Sequence, residues 1–341
     1  MQNYDGFRID ANYYFYLCID KIYIDKIMNI QQLEYIVAVD NYRHFEKAAD
    51  ACFVTQPTLS AMIRKLEDEL ELKIFDRSTH PIRPTAAGSV VIEQARVALK
   101  NLRQIKEVAE NERNVVQGEF KLGIIPTIAP YIVPELLQKQ TVDGEGLSLI
   151  INESTTDNTI INLLNGSIDG GLMAGPLNHP QLVEYPIYFE KFYAYVSPRD
   201  ENYKDNEIDL QKVDFNTMWL LENVHCFRGQ IEHLCQIKRN NNNSAPVKYE
   251  AGSVETLINV VEQNAGITII PEMSAMSLNE DRQDNLRTFK NLDAYREVSL
   301  FVSKEYVRKA MLNRVLEMIK AVVPTSMQNE ERKKYVVEVI R

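Results

Sequence analysis

The sequence predicts an α/β protein with an N-terminal winged helix-turn-helix, a long linker helix and a larger α/β domain. Three patterns support this division: helical apolar spacing in residues 28–87, an apolar stripe along residues 88–114, and alternating strand-like and helical segments beyond Gly118. Of the 341 residues, 45% are hydrophobic and 25% are charged, as in ordinary soluble globular proteins. No apolar run approaches the roughly 18 residues that span a membrane, so we expect no membrane partner.

Residues 1–27 do not have the pattern of an export signal. They are rich in Tyr and Ile, and scattered aspartates interrupt the apolar core that such a signal needs. A more regular pattern begins at Met28, so we interpret residues 1–27 as an extension upstream of the natural start. We therefore expect a cytoplasmic protein, in which a disulfide would be catalytic or redox-sensing.

Residues 28–87 predict a helix-turn-helix followed by a wing. Two short helices precede a third that begins at Thr55, a favourable N-cap, with Pro57 tolerated in its first turn. The segment FDRSTHPIRPT that follows is typical of a two-stranded wing. Residues on the outer face of the third helix could reach base edges, and wing arginines could contact phosphates. The candidate DNA-binding residues are Gln56, Pro57, Thr58, Ser60, Arg64, Arg77 and Arg83.

Charge alone does not establish a DNA-binding function. The net charge of −10 excludes a protein that is basic throughout, although it allows a small DNA-binding domain on an acidic partner domain. Acidic residues from Glu67 to Glu71 cluster at the far end of the third helix, away from its N-terminal end. A plain three-helix bundle therefore remains the alternative for this segment.

A linker helix is predicted from about Thr85 to Arg113, roughly 42 Å long at 1.5 Å per residue. Its apolar positions form a stripe that a lone helix cannot bury. The helix therefore needs a partner, either a second copy of the chain or another part of its own chain. The stripe consists of Val91, Ala95, Ala98, Leu102, Ile105 and Val108.

The segments AADACFVTQPTLSAMIRKLEDEL and FDRSTHPIRPTAAG resemble the winged helix-turn-helix of LysR-type transcriptional regulators. The motif Thr85-Ala86-Ala87-Gly88 matches the start of that family's linker helix. The resemblance implies promoter DNA and RNA polymerase as partners, and a homodimer or homotetramer paired through antiparallel linker helices. It implies regulation without enzymatic activity.

The same resemblance implies a two-lobed effector domain of periplasmic-binding-protein type at residues 115–325. The first lobe would comprise residues 115–188 and 294–325, and the second residues 189–293. The tail, residues 326–341, is charged and possesses no assigned role. Within the second lobe we predict a strand at Met218–Glu222 and a left-handed turn at Asn264, where the family usually has glycine.

The segment LLENVHCFRGQIEHLC, residues 220–235, contains two of the four cysteines. Phe227, Ile231 and Leu234 have the spacing of one buried helix face, and Cys226 falls at the N-terminal edge of that helix. A helix N-terminus and nearby cations favour a thiolate, and His225 and Arg228 flank Cys226. Cys226 is therefore the candidate nucleophile and Cys235 its resolving partner. Two unrelated cysteines in a half-buried helix are the alternative, since this spacing is not a specific motif.

A helical segment and a disulfide exclude each other here. Nine residues of helix separate two Cα atoms by roughly 13 Å, whereas a disulfide requires a Cα separation of about 4.4–6.8 Å. The segment is therefore predicted to have two states, and oxidation would select between them.

Within the LysR-type family, His-Cys-x-Arg-x-Gln followed by a second Cys resembles the hydrogen-peroxide sensors. The resemblance implies that peroxide oxidises Cys226, which then forms a disulfide with Cys235 and activates oxidative-stress genes. It also implies that Thr127 and Thr156 hold peroxide beside the thiol, with His225 and Arg228 activating the thiolate. Helix capping is the alternative role for both threonines.

Two other functions remain open from the sequence. A LysR-type regulator could sense a small metabolite in the cleft between the lobes, with incidental cysteines. A thiol peroxidase could use the same cysteine pair, although it would not need the DNA-binding head. We expect no metal ion or cofactor, because the histidines near the cysteines lack zinc spacing.

Overall fold

The computed structural model describes residues 28–111, 116–143, 146–210, 212–213, 218–222, 226–234, 249–337 and 339. The prediction for residues 1–27 lies outside this part of the chain. Two compact units are present, and the division between them falls between Ile105 and Lys106. None of the helices in the described part has the length and apolar composition needed to cross a membrane.

The first unit is a helix-turn-helix with a two-stranded wing. Asn29 and Gln32 form a capping box that begins the first helix, since each side chain accepts a hydrogen bond from the other residue's backbone at 2.9 Å. Apolar residues from three helices, among them Ile36, Leu59 and Ile63, form the fully buried core. The elements are α1 (Ile30–Tyr42), α2 (Phe45–Ala51), α3 (Gln56–Glu69), β1 (Phe75–Asp76), β2 (Arg83–Pro84) and α4 (Ala86–Asn111).

The start of α4 explains why its sequence motif ends in glycine. The Thr85 hydroxyl donates to the carbonyl of Lys73 at 2.6 Å and accepts from the backbone N–H of Gly88 at 2.9 Å. A Cβ atom on Gly88 would lie 2.0 Å from the carbonyl oxygen of Ile74. The motif therefore lets the helix begin in close contact with the backbone of Ile74, just before β1.

The apolar stripe of α4 divides into a buried and an exposed part. Ile92 and Ala95 pack into the core of the first unit, whereas Leu102, Ile105 and Val108 are 38%, 69% and 48% exposed. The predicted need for a partner therefore applies to the C-terminal half of the helix.

The second unit is an α/β assembly. Its strands are β3 (Gly118–Ile124), β4 (Leu147–Glu153), β5 (Gly170–Gly175), β6 (Leu182–Val196), β7 (Glu207–Ile208), β8 (Ile267–Pro271), β9 (Leu286–Phe289) and β10 (Tyr295–Ser303). Its α-helices are α5 (Ala129–Asp143), α6 (Thr156–Leu164), α7 (Cys226–Leu234), α8 (Val254–Gln263), α9 (Glu272–Met276), α10 (Glu280–Gln283) and α11 (Lys309–Val322). In the described part of this unit, 3-10 helices occupy Glu201–Lys204, Thr325–Gln328 and Glu330–Tyr335.

The described strands form a mixed sheet in the order β4-β3-β5-β10-β6-β9-β7, with β8 paired to β6. β3 pairs in parallel with β4 and β5, as the alternation of strands and helices predicts. The sheet is not wholly parallel, because β10 pairs antiparallel with β5 and β6. β6 carries the chain from one lobe to the other and β10 returns it, so these two strands run in opposite directions.

Two separate hydrophobic cores lie along the crossover strands. The first contains Phe120 and Leu172, and the second contains Leu257 and Ile269. β6 contributes to both, since its early residues pack in the first core and Phe192 onward packs in the second. The two lobes are therefore joined by a continuous pair of strands.

Two local predictions were wrong. Residues Met218–Glu222 do not form a regular strand but make isolated bridges, Met218 to Ile267 and Leu221 to Ala251. Asn264 is extended, with φ −122°, and the left-handed conformation falls on Gly266, with φ +118°. Gly266 has no Cβ, so it adopts this conformation without strain.

Two carboxyl groups lie side by side in the first lobe. The Oε2 atom of Glu184 accepts from the backbone N–H of Leu177 at 3.3 Å, while its Oε1 is buried and has no hydrogen-bond partner in the described part of the chain. Glu297, only 2% exposed, lies beside it. Burial, followed by the neighbouring Glu297 carboxyl group, raises the pKa of Glu184 from 4.5 to about 7.

We predict that Glu184→Gln makes the protein relatively more stable as pH rises. Between pH 4.5 and about 7 the unfolded chain releases this proton while the folded protein retains it, so the wild type loses stability across that range. The glutamine variant remains neutral and lacks this loss. Thermal unfolding at several pH values should show its melting temperature gaining on the wild type up to about pH 7. Glu153→Gln, on an exposed strand position, is the control, and equal pH profiles for all three proteins would contradict the prediction.

Candidate functional site

The recognition helix α3 begins where the sequence predicts. The Thr55 side chain caps it by accepting from the backbone N–H of Thr58 at 3.4 Å, and Pro57 lies in the first turn. Leu59, Ile63 and Leu66 are fully buried, whereas Leu70 at the end of the same face is half-buried. The opposite face carries the candidate DNA-binding residues: Gln56, Pro57, Thr58 and Arg64 are exposed, and Ser60 is half-buried.

Arg77 holds the wing against the recognition helix. Its guanidinium donates to Ser60 Oγ at 3.2 Å and to Glu67 Oε2 at 3.4 Å, and lies 5.1 Å from the ring centre of Phe45. Glu67 is buried and also accepts from the backbone N–H of Ile74 at 2.9 Å. The described contacts of Arg77 are therefore structural, and its contact with phosphate stays a prediction.

Arg64 and Arg83 are placed differently. Both are exposed, and neither side chain makes a hydrogen bond or ion pair with the residues that the structure describes. Neighbouring acids are paired elsewhere, for example Glu69 with Lys65 at 3.8 Å. Arg64 and Arg83 are thus the cations of the candidate set that remain available to an external anion.

A second cluster lies where the two lobes join. Arg296 on β10 is fully buried, and its Nε donates to Glu190 Oε1 on β6 at 2.7 Å. These residues are direct partners in the strand register. The other carboxylate oxygen of Glu190 accepts from the backbone N–H of Met273 at 3.0 Å. Burial of two charges is tolerated only when such hydrogen bonds satisfy them.

Arg296 connects this pair to the turn after β3. Its Nη1 donates to the Thr127 hydroxyl at 2.9 Å, and its Nη2 donates to the Thr127 carbonyl at 3.0 Å. The Thr127 side chain is therefore bound to a buried cation. Sequence reasoning identified Thr127 but missed Arg296 and Glu190. A detectable signal was present, because both are charged residues in strands rich in apolar residues: Glu190 lies near the middle of β6 and Arg296 is the second residue of β10.

The same guanidinium contacts the helix of the candidate nucleophile. It lies 5.2 Å from the ring centre of Phe227, which is fully buried and packs against Phe192 with ring centres 5.6 Å apart. Phe227 follows Cys226, the first residue of α7. Arg296 thus joins Thr127 of the first lobe to the first turn of α7.

Thr156 occupies the equivalent position after the neighbouring strand. Thr127 follows the end of β3 by three residues and Thr156 follows the end of β4 by three, and these parallel strands pair Ile124 with Glu153. Both threonines are therefore at the carboxyl edge of the sheet. Thr156 is 4% exposed, and its Oγ1 is buried without a hydrogen-bond partner among the described residues. The helix-capping interpretation does not explain it, because Thr155 occupies the N-cap position.

Arg228 makes contacts other than those expected of a thiolate activator. Its Nε donates to Glu232 at 3.0 Å, and its Nη1 donates to the carbonyl of Leu221 at 2.9 Å and to Glu250. Two carboxylates therefore share its charge. A role in activating Cys226 stays a prediction.

The cysteine pair is described only in part. The backbone of α7 begins at Cys226, as predicted, and Phe227 and Ile231 are fully buried while Leu234 is half-buried. The side chain of Cys226 and the whole of His225 and Cys235 lie outside the described residues. Among the described residues, no group of His, Cys, Asp and Glu side chains could hold a metal ion.

Two family models match the chain. The model described as "Bacterial regulatory helix-turn-helix protein, lysR family" matches residues 30–89, and the "LysR substrate binding domain" matches residues 113–324. The hydrogen peroxide-inducible genes activator of Haemophilus influenzae is 34% identical over 250 residues, which cover 73% of this chain and 82% of that protein. The DNA-binding transcriptional dual regulator OxyR of Escherichia coli is 32% identical, covering 72% and 80%.

Solved structures show the same similarity. A full-length OxyR variant from Pseudomonas aeruginosa has a TM-score of 0.71 and 28% identity, covering 86% of this chain and 98% of that one. An OxyR variant of Corynebacterium glutamicum with hydrogen peroxide bound has a TM-score of 0.57 and 26% identity, covering 86% and 92%.

We predict that Arg64→Ala and Arg77→Ala affect the protein differently. Arg64→Ala should weaken binding to a DNA fragment by about 1–3 kcal/mol with an unchanged melting temperature, because the side chain supports no described contact. Arg77→Ala should lower the melting temperature, since removing a partner of buried Glu67 costs roughly 1–3 kcal/mol. Fluorescence anisotropy and thermal unfolding measure the two effects. A stability loss in Arg64→Ala equal to that in Arg77→Ala would contradict the assignment.

Proposed function

Because the chain belongs to the LysR family of bacterial helix-turn-helix regulators, we propose that it binds promoter DNA and is switched by hydrogen peroxide through Cys226 and Cys235. One observation carries this proposal: buried Arg296 binds Thr127 and stacks on Phe227, so a cation and a hydroxyl lie beside the first turn of the helix headed by Cys226. The names of the matched relatives, peroxide-inducible activators, support the same function.

The DNA-binding role uses the first unit. The exposed outer face of α3, which includes Arg64, would reach base edges or phosphates, and Arg83 of the wing would contact phosphates. The exposed apolar residues in the second half of α4 support a second copy of the chain as the occupant of that face. We propose a homodimer or homotetramer that holds two helix-turn-helix units at a set distance on one operator. Contact with RNA polymerase and a location in the cytoplasm follow from this role.

The proposed chemistry is a two-electron oxidation in two steps. The Cys226 thiolate attacks one oxygen of hydrogen peroxide, which breaks the O–O bond and gives a sulfenic acid and a hydroxide that is protonated to water. The Cys235 thiol then attacks the sulfenic sulfur, which forms the disulfide and releases a second water. Reduction by cellular thiols would reverse the switch.

The buried groups around α7 supply what the first step needs. Positive charge near a thiol favours its thiolate, and Arg296 is the cation held against Phe227. A hydroxyl can both donate and accept hydrogen bonds. Thr156 Oγ1 has no partner among the residues that the structure describes, so it offers a hydrogen bond to a small ligand. We propose that Thr127 and Thr156 together bind peroxide at the carboxyl edge of β3 and β4.

The second step requires α7 to unwind. Residues Cys226–Leu234 are helical in the described structure, so a bridge from Cys226 to Cys235 cannot form on this backbone. Unwinding would remove the burial of Phe227 and Ile231 and the ion pairs of Arg228. We propose that this rearrangement alters the contacts between subunits. It would thereby change the distance between the helix-turn-helix units of the oligomer.

Cys52 provides an internal contrast. It is half-buried in the first unit, and burial together with the negative charge of Glu34 raises the pKa of its thiol. A raised pKa leaves less of the reactive thiolate. Cys52 is therefore a poor candidate for the sensor and a suitable control.

We predict that Cys226→Ser abolishes the peroxide-dependent change in promoter footprint. Cys235→Ser should stop at the sulfenic acid, which dimedone traps and mass spectrometry detects. Cys52→Ser should respond like the wild type. A normal peroxide response in Cys226→Ser would overturn the proposal and favour a metabolite effector in the cleft, while sustained peroxide turnover with a thiol reductant would favour a peroxidase.

We also predict that Thr156→Val slows oxidation of Cys226 by about tenfold, which corresponds to ~1.4 kcal/mol in the activation free energy. The substitution keeps the shape of the side chain and removes a buried hydroxyl without a described partner, so the melting temperature should not fall. Stopped-flow measurement of sulfenic acid formation checks the rate. Thr155→Val is the matched control, and equal rates in the two variants would remove Thr156 from the proposed pocket.

A further inference from the structure

The C-terminal tail, residues 325–337, lies across both lobes rather than extending from the domain. Two 3-10 helices, Thr325–Gln328 and Glu330–Tyr335, follow α11. Met327 is fully buried in the first core, and Val337 packs against the second. The tail is therefore part of the folded effector unit.

Arg332 anchors the middle of the tail beside the crossover strands. Its Nη1 donates to Glu272 Oε2 at 2.8 Å and to the carbonyl of Phe189 at 3.0 Å. Its guanidinium also lies 5.2 Å from the ring centre of Tyr295. Three contacts to three elements fix this side chain, which is 21% exposed.

The end of the tail is paired with β10. Val336 forms a parallel bridge with Tyr295, and the backbone N–H of Val337 donates to the Tyr295 carbonyl at 2.8 Å. Tyr335 stacks near Tyr295 with ring centres 6.1 Å apart. Tyr295 directly precedes Arg296, so the tail is attached beside the buried ion pair.

The same peptide segment also contacts the cysteine helix. The Gln230 side chain, fully buried on α7, donates from Nε2 to the carbonyl of Val337 at 3.0 Å. Val337 thus donates to β10 with its N–H and accepts from α7 with its carbonyl. Gln230 lies between Cys226 and Cys235, so it must move if that segment unwinds.

We propose that the tail is a strap that holds α7 in its helical thiol form and opposes disulfide formation. The inference rests on the proposed redox function, in which Cys226 and Cys235 bond only after α7 unwinds. Unwinding of α7 would break the Gln230 to Val337 hydrogen bond, so this bond stabilises the dithiol over the disulfide. The strap sets how oxidising the surroundings must be before the switch occurs.

The test measures the thiol-disulfide equilibrium of the full chain in glutathione buffers. One oxidised glutathione takes two electrons from the protein dithiol and yields two reduced glutathiones and the protein disulfide. Removing residues 329–341, which keeps Met327, should shift the equilibrium about tenfold toward the disulfide, close to 30 mV. Arg332→Ala should shift it in the same direction by a few-fold. Lys333→Ala removes an exposed charge from the same 3-10 helix and should leave the equilibrium unchanged.

Hydrogen exchange of the reduced protein tests the strap independently of the redox proposal. Loosening the strap should speed amide exchange in α7 in Arg332→Ala and in the truncated chain, with exchange in α11 unchanged. If the wild type forms no Cys226–Cys235 disulfide, the redox proposal fails, and faster exchange in α7 still supports the strap. Unchanged exchange in α7 and an unchanged equilibrium in Arg332→Ala would overturn the strap, whether or not the truncated chain folds.

Discussion

The ion pair between Arg296 and Glu190 lies where two crossover strands pass from one hydrophobic core to the other. Both side chains are fully buried, so neither charge is solvated by water and each must be satisfied by the protein. The Glu190 carboxylate accepts a further hydrogen bond from a backbone N–H at the start of α9. The Arg296 guanidinium donates further hydrogen bonds to the hydroxyl and carbonyl of Thr127. The demand of two buried charges for hydrogen bonds therefore fixes the register of β6 with β10 and the turn that follows β3.

The ring of Phe227 lies on the Arg296 guanidinium, and this contact connects α7 to the buried ion pair. The helix is also held by Arg228 to Glu250 and by Gln230 to the C-terminal tail. Contacts from the crossover strands, the loop after the cysteine segment and the tail thus converge on one nine-residue helix. A covalent change within this helix would break several of them together, which is how a local oxidation can alter a whole domain.

In the DNA-binding unit the charged residues are arranged differently. At the end of α3, Glu67, Asp68 and Glu69 form ion pairs with Lys65, Lys73 and Arg77, so these three acidic residues support the fold. Arg64 and Arg83 remain exposed on the recognition helix and the wing. A chain with a net charge of −10 can therefore still present cations at a reading surface.

The sequence by itself determined the features that depend on neighbours within one or two helical turns. The cap at Thr55 and the helix beginning at Cys226 were readable because spacing and residue type decide them locally. The glycine at the start of α4 was readable only from the family resemblance, since its need comes from the close approach of Ile74. Only the tertiary structure decided that Arg296 pairs with Glu190, that Arg77 is used within the fold, and that the tail binds Gln230. Arg296 and Glu190 are 106 positions apart in the chain, and their contact depends on the register of two strands that run in opposite directions. No local pattern contains that register, because it follows from how two cores pack on the same pair of strands.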